Sequence, residues 1–129
     1  MDRKKIAIFT GNRAEYGLLN PLIRELSSRA SFEVYLIISG SHLLEEFGKT
    51  VCEIDTSMVK SIRKIPLNVT DANKKVELLL LFSDVIREGI TVLANLNPQF
   101  LVLAGDRYET FAMAVTAYYL NIPIVHLFG

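Results

Sequence analysis

Short apolar runs separated by glycine-containing turns recur along the whole chain. Four of them are typical of strands, namely residues 6–9, 32–38, 100–104 and 124–128, and the last two are expected to be buried in a parallel sheet. A weaker run at residues 62–67 contains Pro66, which predicts a strand at the edge of the sheet.

Apolar residues at helical spacing fill most of the intervals between these runs. They predict helices over residues 15–28, 43–48, 71–95 and 109–120. Thr70 or Asp71 is the expected cap of the long third helix. Strands alternating with helices predict an α/β fold over residues 1–129, a doubly wound, Rossmann-like parallel sheet of about five strands.

The end of the chain repeats the pattern of its earlier strands. Gly11, Gly40 and Gly105 each follow an apolar strand and lead into polar residues and a helix. Gly129 stands at the same point after the last strand, and a strand buried on both faces needs a covering layer. We therefore expect the domain to be truncated at its C-terminal end, with any second domain outside this sequence.

The charge balance narrows the class of partner. The 14 Lys and Arg residues equal the 14 Asp and Glu residues, which argues against a nucleic-acid surface because phosphate binding on that scale needs a basic excess. No apolar stretch has the length of a membrane span or of a signal peptide. The single Cys52 allows no intramolecular disulfide, and the two histidines lie far apart in sequence. We expect a cytoplasmic protein without a metal or cofactor.

Polar residues follow the carboxyl ends of three predicted strands, at the edge where open α/β sheets bind ligands. An arginine there can bind phosphate oxygens in a fork, and an acid there can act as a general base. The candidates are Asp106 and Arg107 after the fourth strand, Arg13 after the first, and Ser41 and His42 after the second.

Three of the five candidates also have a simpler interpretation, which the residues alone leave open. Asp106 can cap the helix that follows it, Arg13 can be solvated in a tight turn, and His42 can be a capping or packing residue. Glu109 is interpreted as a first-turn acid that complements the helix dipole. His126 is interpreted as a buried histidine whose hydrogen bonds are satisfied.

Four motifs follow one another along the chain. They are Thr10-Gly11-Asn12-Arg13-Ala14-Glu15-Tyr16-Gly17, then Gly40-Ser41-His42-Leu43 with Phe47-Gly48-Lys49-Thr50, then Gly105-Asp106-Arg107-Tyr108-Glu109, and finally Asn121-Ile122-Pro123-Ile124-Val125-His126. In this order they resemble the hydrolysing UDP-N-acetylglucosamine 2-epimerases of sialic-acid and related nonulosonic-acid pathways. The resemblance is specific because four motifs match over the whole chain.

The resemblance implies a GT-B enzyme, with two Rossmann-like domains and the active site between them; this chain resembles the N-terminal domain. In the family, UDP-N-acetylglucosamine loses UDP by elimination across C1 and C2, and water adds to the glycal to give N-acetylmannosamine. By this likeness Asp106 matches a catalytic acid, and Arg13 and Arg107 match arginines near the diphosphate. Ser41 and His42 are expected to bind the substrate from the neighbouring loop.

Phe128 departs from the family pattern, because many members have Glu there as a second acid or base. The family's remaining catalytic groups lie beyond Gly129, so we expect no turnover from this chain alone and a homo-oligomeric enzyme as the full-length protein. One alternative is a GT-B glycosyltransferase-type nucleotide-sugar domain. Another is a non-enzymatic flavodoxin-like or receiver-like domain, although a receiver needs an acidic pair that residues 10–13 do not supply.

Overall fold

The computed structural model describes residues 3–39, 59–65 and 75–128. Within them, strands and helices follow one another in the order predicted. In chain order they are β1 (Lys4–Thr10), α1 (Arg13–Ser27), β2 (Phe32–Ile38), β3 (Ser61–Lys64), α2 (Lys75–Leu96), β4 (Phe100–Ala104), α3 (Tyr108–Tyr119) and β5 (Ile124–Leu127). The predicted short helix at residues 43–48 and the cap at Thr70 or Asp71 lie outside the described residues.

The five described strands form one parallel sheet in the order β3-β2-β1-β4-β5. In the register of the sheet, Ile6 of β1 pairs with Val34 of β2 on one side and with Phe100 of β4 on the other. The chain moves outward from β1 to β3 and then crosses to the other side of β1. The strand order therefore reverses between β1 and β4, and ligands bind at such switch points in open α/β sheets. The position of β3 at an edge agrees with the prediction.

Alternating residues of the central strands divide the core into two layers. Ile8 of β1 packs in one cluster with Leu19 of α1. Phe9, its neighbour, belongs to the cluster on the opposite face together with Leu93 of α2 and Met113 of α3. Helices therefore cover both faces of the sheet, which confirms the doubly wound α/β class.

The close approach of α2 and α3 depends on a glycine. A Cβ atom on Gly89 of α2 would lie 3.0 Å from the Sδ of Met113 in α3, tighter than an ordinary van der Waals contact. The absence of a side chain at Gly89 lets the two helices pack side by side on one face of the sheet. This packing helps to fix α3, whose first residue comes four positions after the end of β4.

The two strands on this side of the sheet differ in burial. Residues 101–104 of β4 are at most 3% exposed, as predicted for a strand buried on both faces. The same prediction for β5 is wrong, because Ile124 and Val125 are 37% and 39% exposed. Among the described elements β5 pairs with β4 alone, so it forms an edge of the sheet, and edge strands remain partly accessible. None of the described helices combines the length and apolar character needed to cross a membrane.

Candidate active site

The carboxyl ends of β1 and β4 meet at the switch point of the sheet. β1 ends at Thr10 and β4 ends at Ala104, and a glycine follows each strand before the next helix. Because the two strands are parallel neighbours, the connections at residues 11–12 and 105–107 emerge at the same edge.

Reciprocal hydrogen bonds hold the first connection. Asn12 is the N-cap of α1, and its Oδ1 accepts from the backbone N–H of Glu15 at 2.9 Å. The Oε1 of Glu15 accepts in turn from the backbone N–H of Gly11 at 2.9 Å. This is a variant of the capping box, in which the acid reaches the residue before the cap. The helix begins at Arg13, two residues earlier than predicted, because Asn12 supplies the cap.

The buried carboxylate of Glu15 also contacts the second connection. Gly105 has a φ of +81°, in the left-handed region, and a Cβ atom there would lie 3.4 Å from the Oε2 of Glu15. A Cβ on Gly11 would lie 3.5 Å from the Oε1 of Glu15 and 3.7 Å from the Cδ of Glu109. Glu15 therefore lies between the two glycine turns, and the carboxylate of Glu109 reaches the first of them.

Asp106 and Arg107 are exposed at this edge. Helix α3 has Arg107 at its N-cap position, with no side-chain capping hydrogen bond. The alternative in which Asp106 caps this helix is therefore wrong, because Asp106 precedes the cap position by one residue. Asp106 also lacks the desolvation expected beside a buried strand, since the described residues leave it open to solvent.

Glu109 lies in the first turn of α3, as predicted, but the sequence does not predict its environment. Its side chain is 2% exposed, and its Oε2 accepts from the Nε of Arg107 at 3.3 Å. The side chain of Arg107 is 52% exposed. The ion pair therefore extends from the protein interior to the solvent at the switch point.

Burial and neighbouring charges shift the pKa values of Glu15, Arg107 and Tyr108. Burial raises the pKa of Glu15 and the charge of Glu109 adds to the rise, while the Gly11 N–H and Arg107 act in the opposite direction. Burial lowers the pKa of Arg107, but the two glutamates outweigh it and leave the pKa raised. Burial and then Glu109 raise the pKa of Tyr108 to about 12. At neutral pH the edge thus presents a cationic Arg107 beside a neutral phenol.

His126 fixes the second connection from the side of β5. Its Nε2 lies 2.7 Å from the carbonyl oxygen of Gly105, so this nitrogen carries the proton and donates it. The N–H of Gly105 donates to the carbonyl of Leu127 at 2.9 Å. The prediction of a buried histidine is wrong because β5 is an edge strand, but the ring is hydrogen-bonded as expected.

The structure describes the side chains of two of the five predicted site residues. Asp106 and Arg107 lie together at the switch point. Arg13 begins α1 beyond the end of β1, but its side chain is outside the described part of the structure. Ser41 and His42 also fall outside it. The functional roles of all five remain predictions.

Glu15 and Glu109 are the buried acids that the sequence reasoning missed. A signal for Glu15 exists, because Asn12 followed three positions later by Glu15 has the spacing of a capping box. Glu109 has no comparable local signal. Its burial depends on how α3 packs against the end of β1, which is a tertiary property.

A parallel sheet with helices on both faces defines a Rossmann-like domain, and domains of this class bind ligands at the edge where Asp106 and Arg107 lie. A family model described as UDP-N-acetylglucosamine 2-epimerase matches residues 24–129. The chain belongs to the UDP-N-acetylglucosamine 2-epimerase family, which confirms the resemblance found in its motifs.

Two curated relatives match nearly all of the chain. The GDP/UDP-N,N'-diacetylbacillosamine 2-epimerase (hydrolyzing) of Campylobacter jejuni is 33% identical over 100% of this chain and 33% of its own length. The UDP-N,N'-diacetylbacillosamine 2-epimerase (hydrolyzing) of Legionella pneumophila is 32% identical over 98% of this chain and 33% of its own length. The chain thus spans about a third of the length of these relatives.

A solved structure confirms the fold. The crystal structure of UDP-GlcNAc 2-epimerase from Neisseria meningitidis bound to UDP-GlcNAc superimposes with a TM-score of 0.71 at 24% identity. The match covers 95% of this chain and 31% of the other. The α/β architecture of this chain is therefore that of the corresponding part of a solved 2-epimerase.

Substitution of Gly105 tests the tight contact between the two connections. Gly105→Ala places a Cβ against Glu15 at a positive φ, and we expect it to lower the free energy of unfolding by about 1–2 kcal/mol. The control is Gly17→Ala in α1, where a Cβ meets nothing within 4 Å, and helix propensity should raise stability by about 0.5–1 kcal/mol. Urea titration measures both, and a Gly105→Ala variant as stable as the parent would contradict this description.

The raised pKa of Glu15 predicts a dependence of stability on pH. The folded state binds this proton more tightly than the unfolded state does, so the stabilisation is complete below the ordinary glutamate pKa of 4.5 and is lost as the pH rises through the folded pKa. Glu15→Gln keeps an oxygen acceptor for the Gly11 N–H but does not titrate. Thermal melting from pH 4 to pH 7 should show the variant gaining stability relative to the parent as the pH rises. A relative loss over that range would refute the assignment.

Proposed function

We propose that the protein containing this chain, called here the whole protein, is a hydrolysing UDP-N-acetylglucosamine 2-epimerase. The single observation that carries this proposal is the placement of Asp106 and Arg107 at the β1/β4 switch point, within a chain of this family. The chain forms the N-terminal, Rossmann-like wall of the active-site cleft. Because it spans about a third of its curated relatives, we propose that the other wall comes from the remainder of the whole protein and that the chain alone has no turnover.

The proposed reaction is an elimination followed by a hydration. A base removes the proton from C2 of the sugar, the C1–O bond breaks, and UDP leaves with the bonding electron pair. Water then adds to the glycal, giving its hydroxyl group to C1 and a proton to C2 from the opposite face. The products are N-acetylmannosamine and UDP, and no electrons are gained or lost overall.

The residues of this chain have different proposed roles in this reaction. Asp106 is the proposed acid/base at the sugar, where closure of the second wall would supply the desolvation that an exposed carboxylate lacks. Arg107 and Arg13 stabilise the charge that develops on the departing diphosphate. The N-terminus of α1, directly after β1, adds backbone N–H groups and a favourable dipole. Ser41 and His42 are proposed substrate contacts from the loop after β2.

A specific observation favours a second substrate. The relative at 33% identity is named for GDP/UDP-N,N'-diacetylbacillosamine and the one at 32% for UDP-N,N'-diacetylbacillosamine, whereas the solved Neisseria protein is named for UDP-GlcNAc. Both are UDP-linked 2-acetamido sugars and allow the same elimination at C2. Their difference lies on the sugar ring, away from the diphosphate that Arg107 is proposed to bind.

We also propose a location, an oligomeric state and a pathway for the enzyme. We place it in the cytoplasm, as a homo-oligomer in a sialic-acid or related nonulosonic-acid pathway. The motif pattern supports the proposed pathway.

Product analysis tests the proposed reaction. The whole protein, incubated in D₂O with UDP-GlcNAc or with UDP-N,N'-diacetylbacillosamine, should release UDP and the free C2 epimer carrying one deuterium at C2. Mass spectrometry and NMR detect the label. Transfer of the sugar to an acceptor with its C2 hydrogen retained would instead identify a glycosyltransferase and exclude the epimerase.

Asp106→Asn in the whole protein tests the acid/base role. Loss of the carboxylate should lower kcat by about 100-fold or more while UDP still binds. No capping effect complicates this variant, because Asp106 is not the N-cap of α3. The control is Asp84→Asn, which changes a carboxylate on α2 that pairs with Arg87. Normal turnover in Asp106→Asn would remove Asp106 from the mechanism.

A further inference from the structure

Glu109 has no role in the proposed reaction. Its side chain is 2% exposed, and a buried carboxylate is unfavourable unless a partner compensates for its lost hydration. Its Oε2 accepts a hydrogen bond from the Nε of Arg107, at 3.3 Å. The burial of Glu109 therefore bears directly on where the guanidinium of Arg107 lies.

The guanidinium of Arg107 is hydrogen-bonded through its Nε, whereas its terminal nitrogens are available to a ligand. Its Nε donates to Glu109, and its two terminal nitrogens make no hydrogen bond to the described part of the chain. Those terminal nitrogens are the ones that bind two oxygens of a phosphate in a fork. An arginine that is already anchored loses less side-chain entropy when it binds a ligand than a free one does.

If only its charge mattered, Glu109 would weaken the binding of an anion at Arg107. The carboxylates of Glu15 and Glu109 lie near Arg107 and reduce the positive potential that a diphosphate would meet. If Glu109 acted only through its charge, its removal would strengthen the binding of a diphosphate. If it acts by holding the guanidinium in place, its removal would weaken that binding. The two effects have opposite signs and can be separated.

We propose that Glu109 is a positioning residue for Arg107: its buried carboxylate anchors the Nε of the guanidinium and leaves the terminal nitrogens directed to the diphosphate of a UDP-sugar. This inference rests on the proposed function, since it deepens the role given there to Arg107. It assigns no contact between Glu109 and the substrate.

The test is the affinity of the whole protein for UDP, measured by isothermal titration calorimetry. Glu109→Gln keeps an amide oxygen that can accept from the Arg107 Nε but loses the charge that strengthens this hydrogen bond, and it should weaken UDP binding by up to about tenfold. Glu109→Asp keeps the charge but withdraws the carboxylate by one methylene, and it should also weaken binding. The control Glu25→Gln removes the charge of a residue on α1 that forms an exposed ion pair with Arg29, just past the end of that helix, and it should leave the affinity unchanged.

A double-mutant cycle separates positioning from a general structural effect. In an Arg107→Ala background, Glu109→Gln should cause no further loss of UDP affinity, because the residue it positions is gone. A loss of equal size in both backgrounds would show a structural role and overturn the inference. Tighter UDP binding in Glu109→Gln would show that charge dominates and would also overturn it.

The outcomes also distinguish this inference from the proposed function. Unchanged UDP affinity in both Glu109 variants, with normal UDP binding by the parent, would overturn the positioning role alone. A whole protein that does not bind UDP would overturn the proposed function and the inference together. Thermal melting of each variant verifies that the fold is retained before the affinities are compared.

Discussion

The site depends on one buried carboxylate. Glu15 accepts the backbone N–H of Gly11 and lies against Gly105, so a single side chain joins the connection after β1 to the connection after β4. Glycine is favoured at Gly105 because of its positive φ, and a Cβ atom there would be in van der Waals contact with Glu15. Asp106 and Arg107 follow this fixed glycine directly, and His126 holds its carbonyl from the other side.

The sheet order explains why the charged residues collect at this place. Parallel strands send all of their carboxyl ends to one edge, and the reversal of order between β1 and β4 leaves adjacent connections leading to opposite faces. Helix α1 leaves toward one face and α3 toward the other, as their separate core clusters show. In the part of the chain that the structure describes, Asp106 and Arg107 are exposed at this edge, beside the start of α3. We propose that a nucleotide sugar binds there with its reacting carbons near Asp106.

Local patterns in the sequence predicted most of the fold, because the strands are short apolar runs and the helices have regular apolar spacing. The same patterns placed Asp106 and Arg107 correctly at the end of β4. They failed at β5, whose apolar run resembles a buried strand although the strand lies at an edge of the described sheet. They also failed at Glu109, because an acid in a first helical turn is normally solvated. Its burial follows from the packing of α3 beside the β1 connection, which no local pattern records.

The central claim is that the β1/β4 edge binds the diphosphate of a nucleotide sugar. A crystal structure of the whole protein with bound UDP tests it most directly. We predict that the diphosphate lies within hydrogen-bond distance of the Arg107 guanidinium and beside the N-terminus of α1, with the Asp106 carboxylate facing the space that the sugar would occupy. A diphosphate bound away from this edge, with Arg107 making no contact to it, would contradict the account.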